Sequence, residues 1–425
     1  MKRLPIESLT QYFALVNLII DMKNIRFFSL FVSLFAALYF TTGCTQKDIL
    51  SHYDINEPFG WVTCNSLSTS GDYMLTGGDS GREIILLSNG GDMRQSIIDA
   101  IENYDVIVLD GTNGDFAVSS TMYIENLDGK TIIGRNNARV CTEFFLTEEI
   151  HQLLDSANVL SNTSISDGTV YELPNGNKVK ELREYVVRKL LIEHLNDPEE
   201  NYQHSGLFKF NNCSNFIIRN LTFQGPGATD VGADDLMTFT YGTNHMWVDH
   251  CDFIDGMDGN FDINSRSDFV TISWCKFCYT DRTYVHANTN LVGSNDNPVF
   301  NGIDNLNVTF AYCHWDRGCD QRMPMARFGT IHVLNCYYSC AGNTAAINPR
   351  KMSEFLIEGC YFDKGVENIF KQTDALAYNF KGNYYVETFE QPEDLGKVSI
   401  PYDYNTIPIE SVPEEILRFV GATLE

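Results

Sequence analysis

Short runs of alternating β-forming residues recur at a nearly constant interval through the second half of the chain. "MWVDHCDF" ends at Phe253, "VTISWCKF" at Phe277, "VTFAYCHW" at Trp315, "IHVLNCYY" at Tyr338, "FLIEGCYF" at Phe362 and "YNFKGNYY" at Tyr385. Each has three alternating β-formers, two looser residues, a cysteine (once Asn383), any residue, and an aromatic. The cysteines fall at 251, 275, 313, 336 and 360, so the spacing is 23 or 24 residues with one interval of 38. That long interval is one repeat plus an insertion between Tyr279 and Asn301. A fixed period of this length predicts a solenoid, and strand-and-turn units of this size suit the coils of a parallel β-helix. Equivalent side chains of successive coils then stack about 4.8 Å apart. The expected fold class is all-β, a parallel β-helix.

Upstream, "NFIIRNLTF" (215–223) and "KTIIGRNNARV" (130–140) read as earlier coils, and "YDVIVLDG" (104–111) as the start of the stack. "SIIDAIENY" (96–104) is predicted to be a helix that caps the open sheet edge. Residues 143–205 break the rhythm. Within them "ELREYVVRKLLIEHL" (181–195) has helical spacing, so this stretch is expected to be a partly helical insertion on the outside of the solenoid. The domain itself is expected over 58–390, and the tail 391–425, with prolines at 392, 401 and 408, to pack along it.

Composition refines this reading. Charged residues are 20% of the chain, hydrophobic ones 44%, and the formal net charge is −26. The composition is that of a globular protein, and its charge argues against nucleic acid and anionic membrane surfaces as partners. An anionic substrate then requires a bridging cation or a local basic patch. Near the N-terminus, a basic stretch Met22–Arg26 precedes an apolar run, Phe27–Phe40, of 14 residues, then Thr-Thr-Gly-Cys44. The run is short for a membrane span and fits a signal segment. It resembles a bacterial lipoprotein signal over 1–43, with Met22 as an alternative translation start, lipidation at Cys44 and a tether over 44–57. The expected location is therefore exported, either secreted or as an outer-membrane lipoprotein facing the periplasm or the cell surface. Membrane attachment is expected only through the lipid, and a monomer is expected. Export and 12 cysteines would ordinarily suggest disulfides. Cysteines at a repeat position instead suggest a buried ladder of small apolar thiols.

The chemistry gathers in "DGMDGNFDI" (255–263), where Asp255, Asp258 and Asp262 crowd together. Crowded carboxylates raise one another's pKa unless something neutralises them. On the solenoid frame, Asp258 and Asp262 lie just past one strand, and Asp234 and Asp235 lie one coil earlier. Three or four carboxylates across two coils form a site for a hard cation with oxygen ligands, and calcium fits best. The alternating spacing of an EF-hand is absent. Further on, "QRMPMARFG" (321–329) sets Arg322 and Arg327 at the same lateral position a coil or two along. Arginine grips carboxylates bidentately and keeps its charge.

"WVDHCDFIDGMDGNFDINSRSDFVTISWCKF" together with "RMPMARFGTIHVLNCYY" resembles the pectate lyase superfamily, polysaccharide lyase family one. "GWVT…TGG" and "DGKTIIG" resemble that family's leading segment. The resemblance implies a right-handed parallel β-helix that cleaves polygalacturonate (pectin) by calcium-assisted β-elimination. It implies Asp235, Asp258 and Asp262 as Ca2+ ligands, with Asp234 a further ligand from the first loop. Arg322 matches the arginine that takes the C5 proton, and Arg327 the second active-site arginine. The family's lysine between the two motifs has no counterpart in "YTDRTYVHANTNLVGSND". Arg282 is the leading substitute for holding the substrate, with His286 and Asn288 behind it. Arginine ordinarily holds its proton, so an alkaline optimum is expected. Two other readings compete: a β-helix hydrolase with paired carboxylates, and a pectin-binding scaffold with a weakened site.

Overall fold

The computed structural model describes residues 57–424, apart from 69–71, 149–150, 153–168, 230–233 and, within 181–204, all but Tyr185, Arg188, Lys189 and Ile192. The signal-like segment, Cys44 and the tether, except Glu57, lie outside the described residues, as does most of the expected helix 181–195. Three long sheets wrap the chain into a right-handed parallel β-helix, the hand expected of parallel crossovers. Each strand pairs in parallel with its equivalents in the coils before and after. In the first sheet Ser214–Arg219, Asn244–Asp249 and Asp268–Ser273 follow one another in this way, with Ile218, Val248 and Ile272 in register. The strand Glu83–Leu87 pairs with Val106–Asp110, so the stack starts one strand before residue 104. The predicted cap is the helix Arg94–Asn103, which buries Ile97, Ile98, Ala100 and Ile101 in the N-terminal end of the core.

The repeat has a local cause. The first strand of each coil ends in one residue with left-handed backbone, and the cysteine follows it. His250, Trp274, Tyr312 and Asn335 have φ between 46° and 57°, and later coils use Gly359 and Gly382. That conformation is unusual outside glycine, and it bends the chain from the first sheet to the second in one step. Gly359 is obligatory for a second reason, because a Cβ there would lie 2.3 Å from the Asn335 amide.

The thiol then serves the corner. Cys251 Sγ lies 3.3 Å from the Asp249 carbonyl and 3.8 Å from that of Ile218 in the previous coil. Cys275, Cys313, Cys336 and Cys360 repeat the pattern. Asn383 takes over with its amide, donating to the Ile357 carbonyl and accepting from Cys360 N. None of the described cysteines is in a disulfide, and all of them are buried. Two residues on, Phe223, Phe253, Phe277, Trp315, Tyr338, Phe362 and Tyr385 stack inside with ring centroids 4.5–5.7 Å apart.

The two ends of the domain run along the outside of the first sheet. Trp61 N and Val62 N donate to Thr309 and Thr271, in the middle of the stack. The tail returns over the same face. Tyr402 hydroxyl bonds Thr309 and His332, Ile407 pairs with Asn335, and Leu424 pairs with Asn220. The insertion contains an antiparallel pair, Tyr171–Glu172 with Lys178–Val179, which the helical spacing did not predict. Tyr185, Arg188, Lys189 and Ile192 are helical, and Leu173, Val179 and Ile192 form a small core there.

Two predictions follow from the stacked interior. The five ladder thiols should resist a thiol reagent in the native protein and label fully after denaturation without reductant; mass mapping that finds consecutive ladder cysteines joined would refute the free ladder. The second concerns acid. Burial, then the charge of Lys381, pushes His332 down to about 3, and burial pushes His314 down to about 4. An unfolded histidine titrates near 6.5, so it binds protons that the native state refuses as pH falls below that value. Stability should therefore drop between about pH 6.5 and 4, by up to about 1.4 kcal/mol per pH unit for each histidine. Denaturant titrations of His332→Asn should show a shallower acid slope than those of the parent.

Candidate active site

The turns from the second sheet to the third carry the acidic cluster. Asp235 stands at one turn, Asp258 at the next, and Asp262 on the strand Phe261–Ile263, in register with Thr238. Gly259 lets the two coils close. A Cβ at 259 would lie 2.6 Å from Asp235 Oδ1 and 3.6 Å from Asp262 Oδ1, so it would fill the cradle between the carboxylates. Burial, followed by the charges of Asp262, Asp258 and Asp234, holds the Asp235 carboxyl well above the usual range against the pull of Arg322. Burial likewise pushes Asp262 up to about 7, with Arg322 opposing and Asp258 adding to the rise.

Asp255 has a different job from its neighbours. It is fully buried and accepts from Thr280 N, Thr280 Oγ1 and Thr283 Oγ1 at 2.6, 2.5 and 3.0 Å. It therefore ties down the loop after Tyr279, the stretch that carries Arg282 and His286. His286 reaches the cluster, with Nε2 3.2 Å from Asp258 Oδ1 and 2.7 Å from Asn288 Nδ2. Protonated, Nε2 donates to Asp258; unprotonated, it accepts from Asn288. Arg282 does not join them. Its guanidinium lies 4.4 Å over the Phe145 ring, because the start of the insertion packs against this loop and offers an aromatic face. His151 of the same segment bonds the Arg282 carbonyl.

Asp234 turns toward the N-terminal coils. Its oxygens meet Thr121 Oγ1 at 2.9 Å and Lys209 Nζ at 3.8 Å, so a hydroxyl donor and a loose counter-ion draw it to that side. Asn288 is buried at the lateral position of Asp235 and Gly259, and bridges to Gln321 beside Arg322. Arg322 itself has left-handed backbone, φ 64°, and precedes the cis Met323–Pro324 bond. Among the described residues, no carboxylate lies within 4.0 Å of its guanidinium. Arg327 is held by Asp296 at 2.9 Å and by the Gly293 carbonyl at 3.0 Å. Burial lowers the Arg327 pKa despite Asp296, and the charges of Arg350 and Arg322 add to the fall. Arg350, in register with Arg327 on the next coil, was not singled out from the sequence. Its only sequence signal is a basic residue closing "INPR" at the outward phase of a strand.

The residues fit a divalent cation by charge. Among the described residues, Asp235 and Asp262 make no ion pair with a lysine or arginine, yet they crowd one another around the Gly259 gap. They do not form a closed cage, because Asp258 is turned to His286. Among the described residues no three His, Cys, Asp or Glu side chains are grouped closely enough to hold a metal ion by themselves.

Comparison with known proteins places the chain in a family. A pectate lyase family profile matches residues 199–411. A pectate trisaccharide-lyase of Thermotoga sp. (strain RQ2) is 38% identical over 133 residues, 30% of this chain and 34% of that protein. Pectate lyase A of Aspergillus niger is 31% identical over 221 residues, 49% of this chain and 63% of that protein. The chain thus spans about a third of the first relative's length and less than two thirds of the second's. Among solved structures, a pectate lyase of Bacillus sp. N165 in complex with trigalacturonate superposes with a TM-score of 0.56 at 17% identity, covering 86% of this chain and 98% of that one. Pectate lyase C of Erwinia chrysanthemi, determined with Ca2+, gives 0.51 at 15% identity, covering 84% of this chain and 96% of that one. At these identities the superpositions speak for the shared fold, and the profile match, which takes in the acidic turns and both arginines, carries the assignment: the chain belongs to the pectate lyase family.

Proposed function

We propose that this protein is a calcium-dependent pectate lyase, which cleaves polygalacturonate by β-elimination and leaves an unsaturated non-reducing end. The observation that carries the reading is a pair of carboxylates, Asp235 and Asp262, that no lysine or arginine pairs with among the described residues, facing an arginine, Arg322, that no described carboxylate ties down. An acidic pair alone would repel a polyuronate, and an arginine alone would only bind one. Side by side, they suit a bridging cation and a proton acceptor working on the same sugar. The relatives named above include lyases, and one structural neighbour holds trigalacturonate.

Asp235 and Asp262, with Asp258, would hold Ca2+. When bound, the ion supplies positive charge beside the C6 carboxylate, acidifying the C5 proton. Arg327 and Arg350 lie next to each other on the outward face and would hold substrate carboxylates. Arg322, as the neutral guanidine, would take the C5 proton; the electron pair of the C5–H bond forms the C4–C5 double bond as the C4–O bond breaks, and the leaving glycosidic oxygen takes a proton from solvent water. Asn288 stands close to where the family's lysine is expected, and it is buried and neutral. His286, aimed at Asp258, is the group at hand to contact substrate there. Segments 22–40 and Cys44 support export and a lipid anchor, a location where pectin would be met.

Four measurements test this. Ultraviolet absorbance of unsaturated product from polygalacturonate should rise with calcium and vanish with chelator; a product with no double bond would turn the reading toward hydrolysis. Asp262→Asn should abolish the calcium-dependent rate and the calcium-induced rise in Tm. It should also raise the Tm of the metal-free protein by a few degrees at pH 8, since an ionised buried carboxylate in a like-charged cluster costs stability above its raised pKa. For the same reason the parent's calcium affinity should weaken as pH falls through about 7, where protons compete for Asp262. Arg322→Lys should cost about a thousandfold in kcat with a much smaller change in KM, because a flexible point charge does not reproduce a positioned guanidinium. A loss confined to KM would demote Arg322 to a binding residue.

A further inference from the structure

The outward face of the third sheet continues past the acidic cluster in both directions. Toward the C-terminus lie Arg322, Arg327 and Arg350. Toward the N-terminus, the strand Phe208–Asn211 pairs Lys209 with Thr238, and Thr238 pairs with Asp262, so Lys209 is two coils from the cluster. Phe208 and Phe210 point into the core, and Lys209 between them points out. One coil further, Tyr123 is in register with Lys209, and the ammonium sits 5.9 Å over its ring.

Lys209 has a ready structural explanation as the counter-ion of Asp234. The geometry asks for more. The 3.8 Å separation is outside hydrogen-bond range, so the ammonium donates no hydrogen bond to a described residue, and its side chain is 32% exposed. Such a pair contributes little to stability. What remains, among the described residues, is a cation held over an aromatic face with no acceptor on its donors, on the same surface as the cluster and the arginines.

From Lys209 to Arg350 the sheet takes five steps between coils, about 24 Å at about 4.8 Å each. That exceeds the length of three sugar rings laid end to end. A polyuronate lying along it would meet cations on both sides of the calcium site, and so would escape net repulsion by a chain of charge −26.

We infer that Lys209 and Tyr123 form a distal uronate-binding position, on the side of the carboxylate cluster opposite the arginines. Lys209 takes a substrate carboxylate, and the open part of the Tyr123 ring takes the apolar face of the sugar. The inference rests on the lyase reading for its choice of ligand, and it makes the groove one that grips the polymer internally, across the cluster.

The test compares hexagalacturonate with trigalacturonate in the full chain. Lys209→Met should raise KM for the hexamer about tenfold more than for the trimer, in KM rather than kcat, and Lys209→Arg should restore much of the loss. Tyr123→Leu should act in the same length-dependent direction. Equal effects on both lengths, or a fall in Tm with no dependence on length, would overturn the position and leave Lys209 as the partner of Asp234. Calorimetric binding of hexagalacturonate to parent and Lys209→Met proteins separates the two levels. Weaker binding by the variant supports the position even if the parent forms no unsaturated product, a result that would sink the lyase reading alone. Equal binding sinks the position alone.

Discussion

Everything about this site depends on parallel pairing between successive coils. Because each strand is hydrogen-bonded in register to the next, a residue's lateral place is inherited from coil to coil, and side chains far apart in sequence meet as neighbours. Thr238, Asp262, Leu291 and Met325 form one such row. A one-residue slip of the coil that carries Asp262 would turn it inward and bring Phe261 or Ile263 out. The inward rows prevent that slip. The aromatic stack and the thiol corners accept only one phase of each strand, so the apolar interior sets the register of the acidic exterior.

That rigid frame lets the protein keep an unfavourable arrangement. Asp235 and Asp262 are crowded and poorly solvated, and their raised proton affinity is the sign of the cost. A loose loop would relieve it by moving apart. Here Gly259 removes the atom that would hold the coils apart, and pairing on both sides of Phe261–Ile263 keeps them together. Asp255 shows the opposite use of the same residue type. With donors from Thr280 and Thr283 it is satisfied, and its work is to fix the loop that carries His286 to Asp258.

The insertion shapes the site from its flank. It leaves the solenoid after the strand Arg139–Thr142 and returns before Phe208–Asn211, at the same sheet-to-sheet turn that carries the carboxylates in later coils. Its first residues lie against the 279–289 loop, through Phe145 under Arg282 and His151 against Tyr284 and the Arg282 carbonyl. The loop's basic side chain is thereby drawn to the outer flank, and the histidine four residues on is the one that faces the cluster.

The sequence by itself determined the coil. The alternation of β-formers, the period of 23 or 24 and the Cys-x-aromatic signature are local properties, and each has a local cause in the structure: inward phase, one left-handed corner residue, a thiol satisfying two carbonyls. The gathering of Asp235, Asp258, Asp262 and Arg322 was also legible, since a known period turns sequence separation into lateral position. What tertiary structure decided was direction. Asp255, Asp258 and Asp262 look alike in sequence, but one is buried under threonines, one meets a histidine and one faces a carboxylate across a glycine. Arg282 looked like the replacement for a missing lysine until the insertion presented Phe145 beneath it. Lys209 and Arg350 carried no motif, because only register across coils places them on the same face as the cluster. Period fixes where a backbone passes; which way a polar side chain turns there depends on partners that the period does not contain.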